Sequence, residues 1–123
     1  MPKVVAVVGA SADRRKFGNR AVRAFLAQGH TVVPINPHET TIEGLKAYKS
    51  VLDVPGPIDM ATVYVPPEAG VGVMEDLARK GIGEVWLNPG ADDEAVIARA
   101  RALDLKPVVA CSIVGIGQNP YDF

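Results

Sequence analysis

The chain has a single cysteine, Cys111. One thiol cannot form an internal disulfide, so the cysteine content does not indicate secretion. Long apolar runs are also missing. The first run covers residues 4–8, whereas a membrane-spanning helix needs about 18 consecutive apolar residues. A signal peptide needs a longer apolar stretch followed by a cleavage site. These absences predict a soluble cytoplasmic protein that does not associate with a membrane.

An excess of charge of one sign is missing too, because 13 Lys and Arg residues face 14 Asp and Glu residues and the formal net charge is −1. No global field therefore favours nucleic acid or an anionic membrane. Aromatic residues make up only 6 % of the chain, and they do not interleave with basic residues as a nucleic-acid surface requires. No Cys/His spacing indicates zinc. We therefore expect no nucleic-acid partner and no metal site.

The remaining composition is that of an ordinary globular chain, with 48 % hydrophobic and 22 % charged residues. A chain of 123 residues suits one domain and can bury a core without cross-links. We find no internal repeat and no low-complexity tract. The sequence therefore predicts a single domain over residues 1–123.

Short β-branched runs alternate with helical patterns along the chain. The runs predict five strands, at residues 4–8, 31–35, 60–65, 84–87 and 107–110. Helices are predicted at residues 17–28, at 68–80 and from about 92 to 103, with a helical turn near 50–54. Pro34 lacks an N–H group, which favours a strand end or a sheet edge for the second strand. This alternation predicts an α/β protein with a three-layer, doubly wound Rossmann-like fold and a five-stranded, mainly parallel sheet.

In such sheets a ligand binds beyond the carboxyl ends of the strands, and the first of these loops favours a phosphate. Gly9 allows a tight turn at the strand end, and the next helix start offers free N–H groups and a positive dipole end. Ser11 can add a hydroxyl donor, and Arg14, Arg15, Lys16 and Arg20 add positive charge. The alternative interpretation is that Gly9 and Gly18 serve packing only and that the basic run is a solvated surface.

The next two loops bear on which nucleotide is bound. NAD-binding domains usually place Asp or Glu at the end of the second strand, and this chain has Asn36. A neutral amide tolerates a phosphorylated ribose, which argues against NAD and leaves NADP open. Val65, Pro66 and Pro67 form a stiff apolar wall that suits an adenine face, or they are simply the start of a helix.

Together these residues resemble the CoA-binding domain family, whose members are similar to the N-terminal CoA-binding domain of the succinyl-CoA synthetase α subunit. The Gly-Ala-Ser turn after the first strand and the Ile-Asn-Pro end of the second strand are the more specific matches. The resemblance runs from residue 3 to about residue 111. Its main stretches are residues 5–11, 16–19, 29–37, 50–55, 65–67 and 85–91.

The resemblance implies that coenzyme A is the ligand. It implies phosphate contacts from Gly9, Ala10, Ser11 and Gly18. It also implies that the adenosine part lies between two pairs of residues, Asn36 with Pro37 and Val65 with Pro66. From charge alone, Arg15 and Lys16 are expected to hold the 3′-phosphate or the pyrophosphate. Close relatives often have Asp-Arg-Cys-Pro near Cys111, and this chain has Val-Ala-Cys-Ser there.

No residue is predicted to be catalytic. His30 precedes the second strand, at the end of the sheet away from the ligand, and His38 has no visible partner. Cys111 is expected to be a buried, inert thiol, with a disulfide to the CoA thiol as the alternative. Three functions stay open: a CoA-binding module without catalysis of its own, an NAD(P)-binding redox protein or sensor, and a CoA-binding subunit of a multi-chain acyl-CoA enzyme.

Overall fold

A parallel sheet forms the centre of the computed structural model, which describes residues 2–123. The strands are β1 (Val4–Val8), β2 (Thr31–Ile35), β3 (Thr41–Ile42), β4 (Leu45–Lys46), β5 (Met60–Val63), β6 (Glu84–Leu87) and β7 (Pro107–Val109). Five of them form the sheet in the order β2-β1-β5-β6-β7, and each neighbouring pair is parallel. Pro34 therefore lies in an edge strand, as predicted.

Helices cover both faces of this sheet. They are α1 (Phe17–Ala27), α2 (Pro67–Lys80), α3 (Glu94–Ala102) and the short α4 (Ser112–Gly115). One core cluster joins the sheet to α2 and α3 through Met74, Leu77, Val96 and Ala100. A second cluster packs α1 and α4 on the opposite face, through Val22, Phe25 and Ile113 among others. The predicted three-layer, doubly wound α/β fold is confirmed.

The long connection between β2 and β5 contains structure that periodicity did not reveal. Strands β3 and β4 form a hairpin whose turn residues, Glu43 and Gly44, have φ values of 51° and 76°. A 3₁₀ helix follows at Val51–Asp53, where a helical turn was predicted. Strands of two residues are too short to show a period of two, so the hairpin was missed.

Several element boundaries differ from the prediction by one or two residues. Strand β5 ends at Val63 rather than at residue 65. Helix α2 begins at Pro67, one residue early, because proline is favoured in the first turn of a helix. After β7, where no further element was predicted, the chain forms α4 and a 3₁₀ helix at Pro120–Asp122. Among residues 2–123, no helix has both the length and the apolar character needed to cross a membrane.

Candidate functional site

Two adjoining cavities open at the carboxyl edge of the sheet. The first, which we call the α1 cavity, has a volume of about 400 Å³ and lies at the start of α1. The second, the α2 cavity, has a volume of about 190 Å³ and lies against α2 and the 3₁₀ helix at Val51–Asp53. Gly9 and Val65 line both cavities, so the two spaces meet at the ends of β1 and β5.

The structure brings most of the predicted site residues to these cavities. Those lining the α1 cavity are Gly9, Ala10, Ser11, Lys16, Gly18, Asn36, Val65 and Pro66. Pro37 lines the α2 cavity instead. Arg15 lines neither cavity. The sequence-based assignment therefore describes one connected region, with Arg15 outside it.

Gly9 and Gly18 let the β1 loop, the β5 end and α1 approach one another closely. Gly9 has a φ of +88°, and a Cβ built there would lie 2.9 Å from the Tyr64 carbonyl carbon. A Cβ built on Gly18 would lie 2.2 Å from the Gly9 carbonyl oxygen. Both glycines are thus required by packing, and the same packing places the start of α1 beside the α1 cavity.

The start of α1 can receive an anion. Lys16 is the N-cap residue, and within residues 2–123 it forms no side-chain capping hydrogen bond. The first turn of α1 also lacks an acidic residue. The first N–H groups of a helix have no intrahelical partner and carry partial positive charge. Because Lys16, Phe17 and Gly18 line the α1 cavity, the N–H groups at the start of α1 can donate hydrogen bonds to a phosphate there.

The predicted basic cluster is largely paired with other side chains. Arg14 lies 3.5 Å from Glu43, and Arg15 lies 3.0 Å from Asp13. The Arg20 guanidinium sits over the Phe17 ring at 5.1 Å from its centroid and also over the Tyr121 ring. Of the four basic side chains, Lys16 is the one that lines the α1 cavity.

Asp13 organises the loop before α1. Its carboxylate accepts hydrogen bonds from the Arg15 backbone N–H at 2.9 Å and from Arg15 Nε at 3.1 Å. These hydrogen bonds lower the pKa of Asp13 to about 2 and raise the pKa of Arg15. The Asp13 N–H also donates to Ser11 Oγ at 3.0 Å. The loop is therefore ordered by its own side chains.

Asn36 connects the second loop to the first. Its Nδ2 donates to the Ala10 carbonyl at 2.9 Å, and its Oδ1 accepts from the N–H groups of His38 and Glu39 at 2.7 and 3.0 Å. An amide can donate and accept at once, which a carboxylate cannot do. Asn36 thus joins the two loops, a structural role that the sequence-based prediction, which considered only the ribose, did not include.

Sequence reasoning missed several lining residues. Phe17, Tyr64 and Pro89 line the α1 cavity. On α2, Ala69, Val73 and Asp76 line the α2 cavity. Their i, i+4, i+7 spacing places them on one helix face, and that spacing is a signal that could have identified them.

A buried polar network lies beneath the α1 cavity. Asn88 Nδ2 donates to Thr62 Oγ1 at 2.7 Å, and Asn88 Oδ1 accepts from the Ser112 N–H at 2.8 Å. Thr62 Oγ1 and Ser112 Oγ are 2.7 Å apart. Burial raises the pKa of Tyr64, whose hydroxyl lies 3.3 Å from Ser112 Oγ. The network holds the start of α4 against the sheet.

The residues considered for catalysis are spread over the molecule. Cys111 is half-buried and lines a small cavity of about 80 Å³ with Phe17 and Tyr64. His30 Nδ1 accepts a hydrogen bond from the Lys3 N–H at the amino end of β1, and His38 is exposed. Within residues 2–123, no group of three or more His, Cys, Asp or Glu side chains is placed to hold a metal ion.

In nucleotide-binding α/β domains, a glycine at the end of a strand lets the N–H groups of the next helix reach an anion. The sheet order and the site of this protein are typical of that class. Within the class, a family model described as a CoA binding domain matches residues 3–116. The chain therefore belongs to the CoA-binding domain family, which confirms the resemblance seen in the sequence.

Relatives of this family fall into two sizes. The chain is 37 % identical over 91 residues to the ADP-forming acetate–CoA ligase II subunit alpha of Pyrococcus furiosus, covering 72 % of this chain and 20 % of the relative. It is also similar to the apo dinucleotide-forming acetyl-coenzyme A synthetase 1 of Candidatus Korarchaeum cryptofilum, with a TM-score of 0.76 and 32 % identity over 89 % of this chain and 26 % of that one. The chain thus spans about a fifth to a quarter of these proteins.

A conserved hypothetical protein from Pyrococcus furiosus is similar in size to this chain. The two structures align with a TM-score of 0.82 and 30 % identity, covering 94 % of this chain and 99 % of the other. The same fold therefore occurs both as a part of large ligases and as a chain of about this length.

Proposed function

We propose that this chain binds coenzyme A, or a short acyl-CoA, at the carboxyl ends of β1, β2 and β5. The observation that carries the proposal is the junction of the two cavities at Gly9 and Val65 in a member of the CoA-binding domain family. The α1 cavity offers helix N–H groups and Lys16 to phosphates, and the α2 cavity offers mostly apolar walls to a nucleotide base. A nucleotide with a phosphate chain needs both environments side by side.

The phosphates lie in the α1 cavity in this proposal. The backbone N–H groups at the start of α1 and the Ser11 hydroxyl donate to phosphate oxygens, and Lys16 adds a positive charge. The residues assigned to the phosphates are Gly9, Ala10, Ser11, Lys16 and Gly18. Arg15 is left out of this set because its guanidinium hydrogen-bonds Asp13.

The adenosine part lies between the loop after β2 and the loop after β5. Asn36 and Pro66 line the α1 cavity, Pro37 lines the α2 cavity and Val65 lines both. The adenosine part therefore spans the junction of the cavities, with its base on the α2 side. Apolar walls favour the flat faces of a base, because both surfaces leave water on contact. In this proposal the chain binds and orients the ligand, and none of its own residues is assigned a catalytic role.

The comparisons also favour a second candidate function, as the CoA-binding component of a multi-chain acyl-CoA ligase. The support is the 37 % identity to a ligase subunit alpha. Native affinity purification from the source cells tests it. A co-purifying protein in fixed stoichiometry supports the subunit function. Recovery of the chain alone, at concentrations where a ligase complex would persist, contradicts it.

Calorimetric titration with CoA, dephospho-CoA, NAD and NADP tests the proposed ligand. We expect CoA to bind, and dephospho-CoA to bind at least about tenfold more weakly, which corresponds to about 1.4 kcal/mol. Binding of NAD or NADP in the absence of CoA binding would show that the ligand was assigned wrongly and would favour a redox protein or sensor.

The neighbouring basic residues Lys16 and Arg15 allow a matched pair of variants. Lys16→Ala removes a charge that lines the α1 cavity, whereas Arg15→Ala removes a charge that is paired with Asp13. We expect Lys16→Ala to weaken CoA binding by roughly tenfold, or about 1.4 kcal/mol, and Arg15→Ala to change it less than about twofold. Equal losses in the two variants would mean that the ligand contacts the whole basic run.

A further inference from the structure

The α2 cavity has mostly apolar walls, and its polar lining residues are Lys49, Ser50 and Asp76. Ser50 Oγ lies 3.4 Å from Asp76 Oδ2 and accepts a hydrogen bond from the Leu52 N–H at 3.1 Å. The hydroxyl hydrogen of Ser50 is thus directed to the carboxylate. Both residues are half-buried, so a group that reaches Asp76 is partly shielded from water.

Of the α2 residues that line this cavity, Asp76 is the one farthest from the start of the helix. Ala69, Val73 and Asp76 share one face of α2, and α2 starts at the carboxyl edge of the sheet. Seven residues of α-helix rise about 10 Å, so Asp76 lies about that far below Ala69 along the helix axis. Gly9 and Val65 lie at the other end, where the α1 cavity adjoins. A base that enters from the phosphate side therefore points its far edge toward Asp76.

The Asp76 carboxylate favours a ligand group that donates a hydrogen bond. An ionised carboxylate only accepts hydrogen bonds and has about four lone-pair positions, of which Ser50 uses one. The nearby hydroxyl cannot serve as a donor to the ligand while it donates to Asp76. A ligand edge that carries an N–H group is therefore stabilised here, and an edge that carries only acceptors is disfavoured.

We propose that Asp76 is a specificity-determining residue that accepts a hydrogen bond from the exocyclic amino group of adenine. This inference rests on the proposed function, because it assumes that the adenine of CoA enters the α2 cavity. Ser50 is a positioning residue, since its hydroxyl holds one carboxylate oxygen and leaves the other for the base. The walls of the cavity supply affinity for any flat base, and Asp76 discriminates among bases.

The test compares CoA with 1,N6-etheno-CoA, in which a bridge removes the amino hydrogens and keeps the phosphates and the pantetheine. Affinities of both ligands are measured by calorimetry for the unmodified chain, for Asp76→Ala and for Glu75→Ala. Glu75 is the matched control because it is the neighbouring carboxylate on α2 and pairs with Arg99 outside the cavity. Alanine is a favourable helix residue, so both variants are expected to fold.

We expect the unmodified chain and Glu75→Ala to bind CoA at least about tenfold more tightly than etheno-CoA. In Asp76→Ala this ratio should fall at least about fivefold, through weaker binding of CoA. Tight CoA binding with an unchanged ratio in Asp76→Ala overturns the role of Asp76 and leaves the proposed function standing. If CoA does not bind to the unmodified chain, the proposed function fails and this inference fails with it.

Discussion

Gly18 packs against the Gly9 backbone with no room for a side chain. A Cβ on Gly18 would lie 2.2 Å from the Gly9 carbonyl oxygen, and backbone atoms cannot move aside as the end of a flexible side chain can. The first turn of α1 is therefore held directly against the end of β1. This contact sets the distance between the helix amides and the strand end, which is the space that the proposed function assigns to a phosphate.

Replacing Gly18 by alanine tests this contact. We expect Gly18→Ala to lower the free energy of unfolding by about 2 kcal/mol or more, because α1 must shift away from the β1 loop. Gly72→Ala is the matched control, since a Cβ on that helical glycine meets nothing within 4 Å in the described part of the chain. It should raise stability by about 0.5–1 kcal/mol. Urea unfolding measures both, and equal effects would contradict the packing argument.

Asp13 gives a pH-dependent prediction. Its pKa is about 2 in the folded protein, compared with 3.8 for the unperturbed group, because Arg15 hydrogen-bonds its charged form. A lowered pKa contributes stability above the unfolded value, and this contribution is lost as the pH falls from about 4 toward 2. Carbon-13 NMR titration of the carboxyl group should give a midpoint near 2.

The control for this titration uses two arginine variants. In Arg15→Ala the Asp13 midpoint should rise from about 2 toward 3.8, because the guanidinium donors are gone and only the backbone N–H of residue 15 still donates to the carboxylate. Arg14→Ala removes a guanidinium that contacts Glu43 instead, so the midpoint should stay near 2. A midpoint that moves equally in both variants would show a general charge effect rather than a specific pair.

Among the secondary-structure elements, α4 depends on contacts with distant parts of the chain. It has only four residues, Ser112–Gly115, and a helix of that length is not stable by itself. Ile113 is fully buried against the sheet, and the Ser112 N–H is bound by Asn88 at the end of β6. The position of α4, and of Cys111 just before it, is therefore set by tertiary contacts.

Asn88→Ala tests how strongly this network holds α4. The variant leaves the buried Ser112 N–H without its partner and removes one of the two side-chain hydrogen bonds of Thr62 Oγ1. We therefore expect a loss of about 2–3 kcal/mol in the free energy of unfolding. Asn119→Ala is the control, since that exposed side chain caps the short 3₁₀ helix through the Tyr121 N–H. Its removal should cost less than about 1 kcal/mol. Similar losses in the two variants would contradict the proposed importance of burial.

Sequence patterns predicted the elements that carry a clear local signal. Strands β1 and β2, which are short runs rich in β-branched residues, match their predicted bounds, and α1, whose apolar residues repeat at helical spacing, differs by one residue. The β3–β4 hairpin and α4 have two to four residues per element, which is too few to show a period. Their positions depend on contacts with other elements: β4 contacts β2, and the Asn88 side chain accepts a hydrogen bond from the Ser112 N–H of α4.

For the molecule as a whole, the proposed ligand should stabilise the fold. It contacts the ends of three strands and the start of α1, which separate on unfolding. A ligand at about 100 times its dissociation constant raises the free energy of unfolding by about 2.7 kcal/mol. For a chain of this length, that raises Tm by about 10 °C. Differential scanning fluorimetry with CoA should show this shift, and dephospho-CoA at the same concentration should show a smaller one. No shift at saturating CoA would contradict binding to the folded state.

The sequence by itself determined the α/β class, the parallel sheet and the edge at which the site lies, because these follow from local periodicity and from glycine and proline at strand ends. It also identified eight of the eleven described residues that line the α1 cavity. Only the tertiary structure decided that Arg15 pairs with Asp13, that Asn36 joins two loops, and that Asp76 reaches the α2 cavity from the far end of the site. Pairing partners and cavity walls are contacts between distant residues, and a linear pattern does not record which side chains meet.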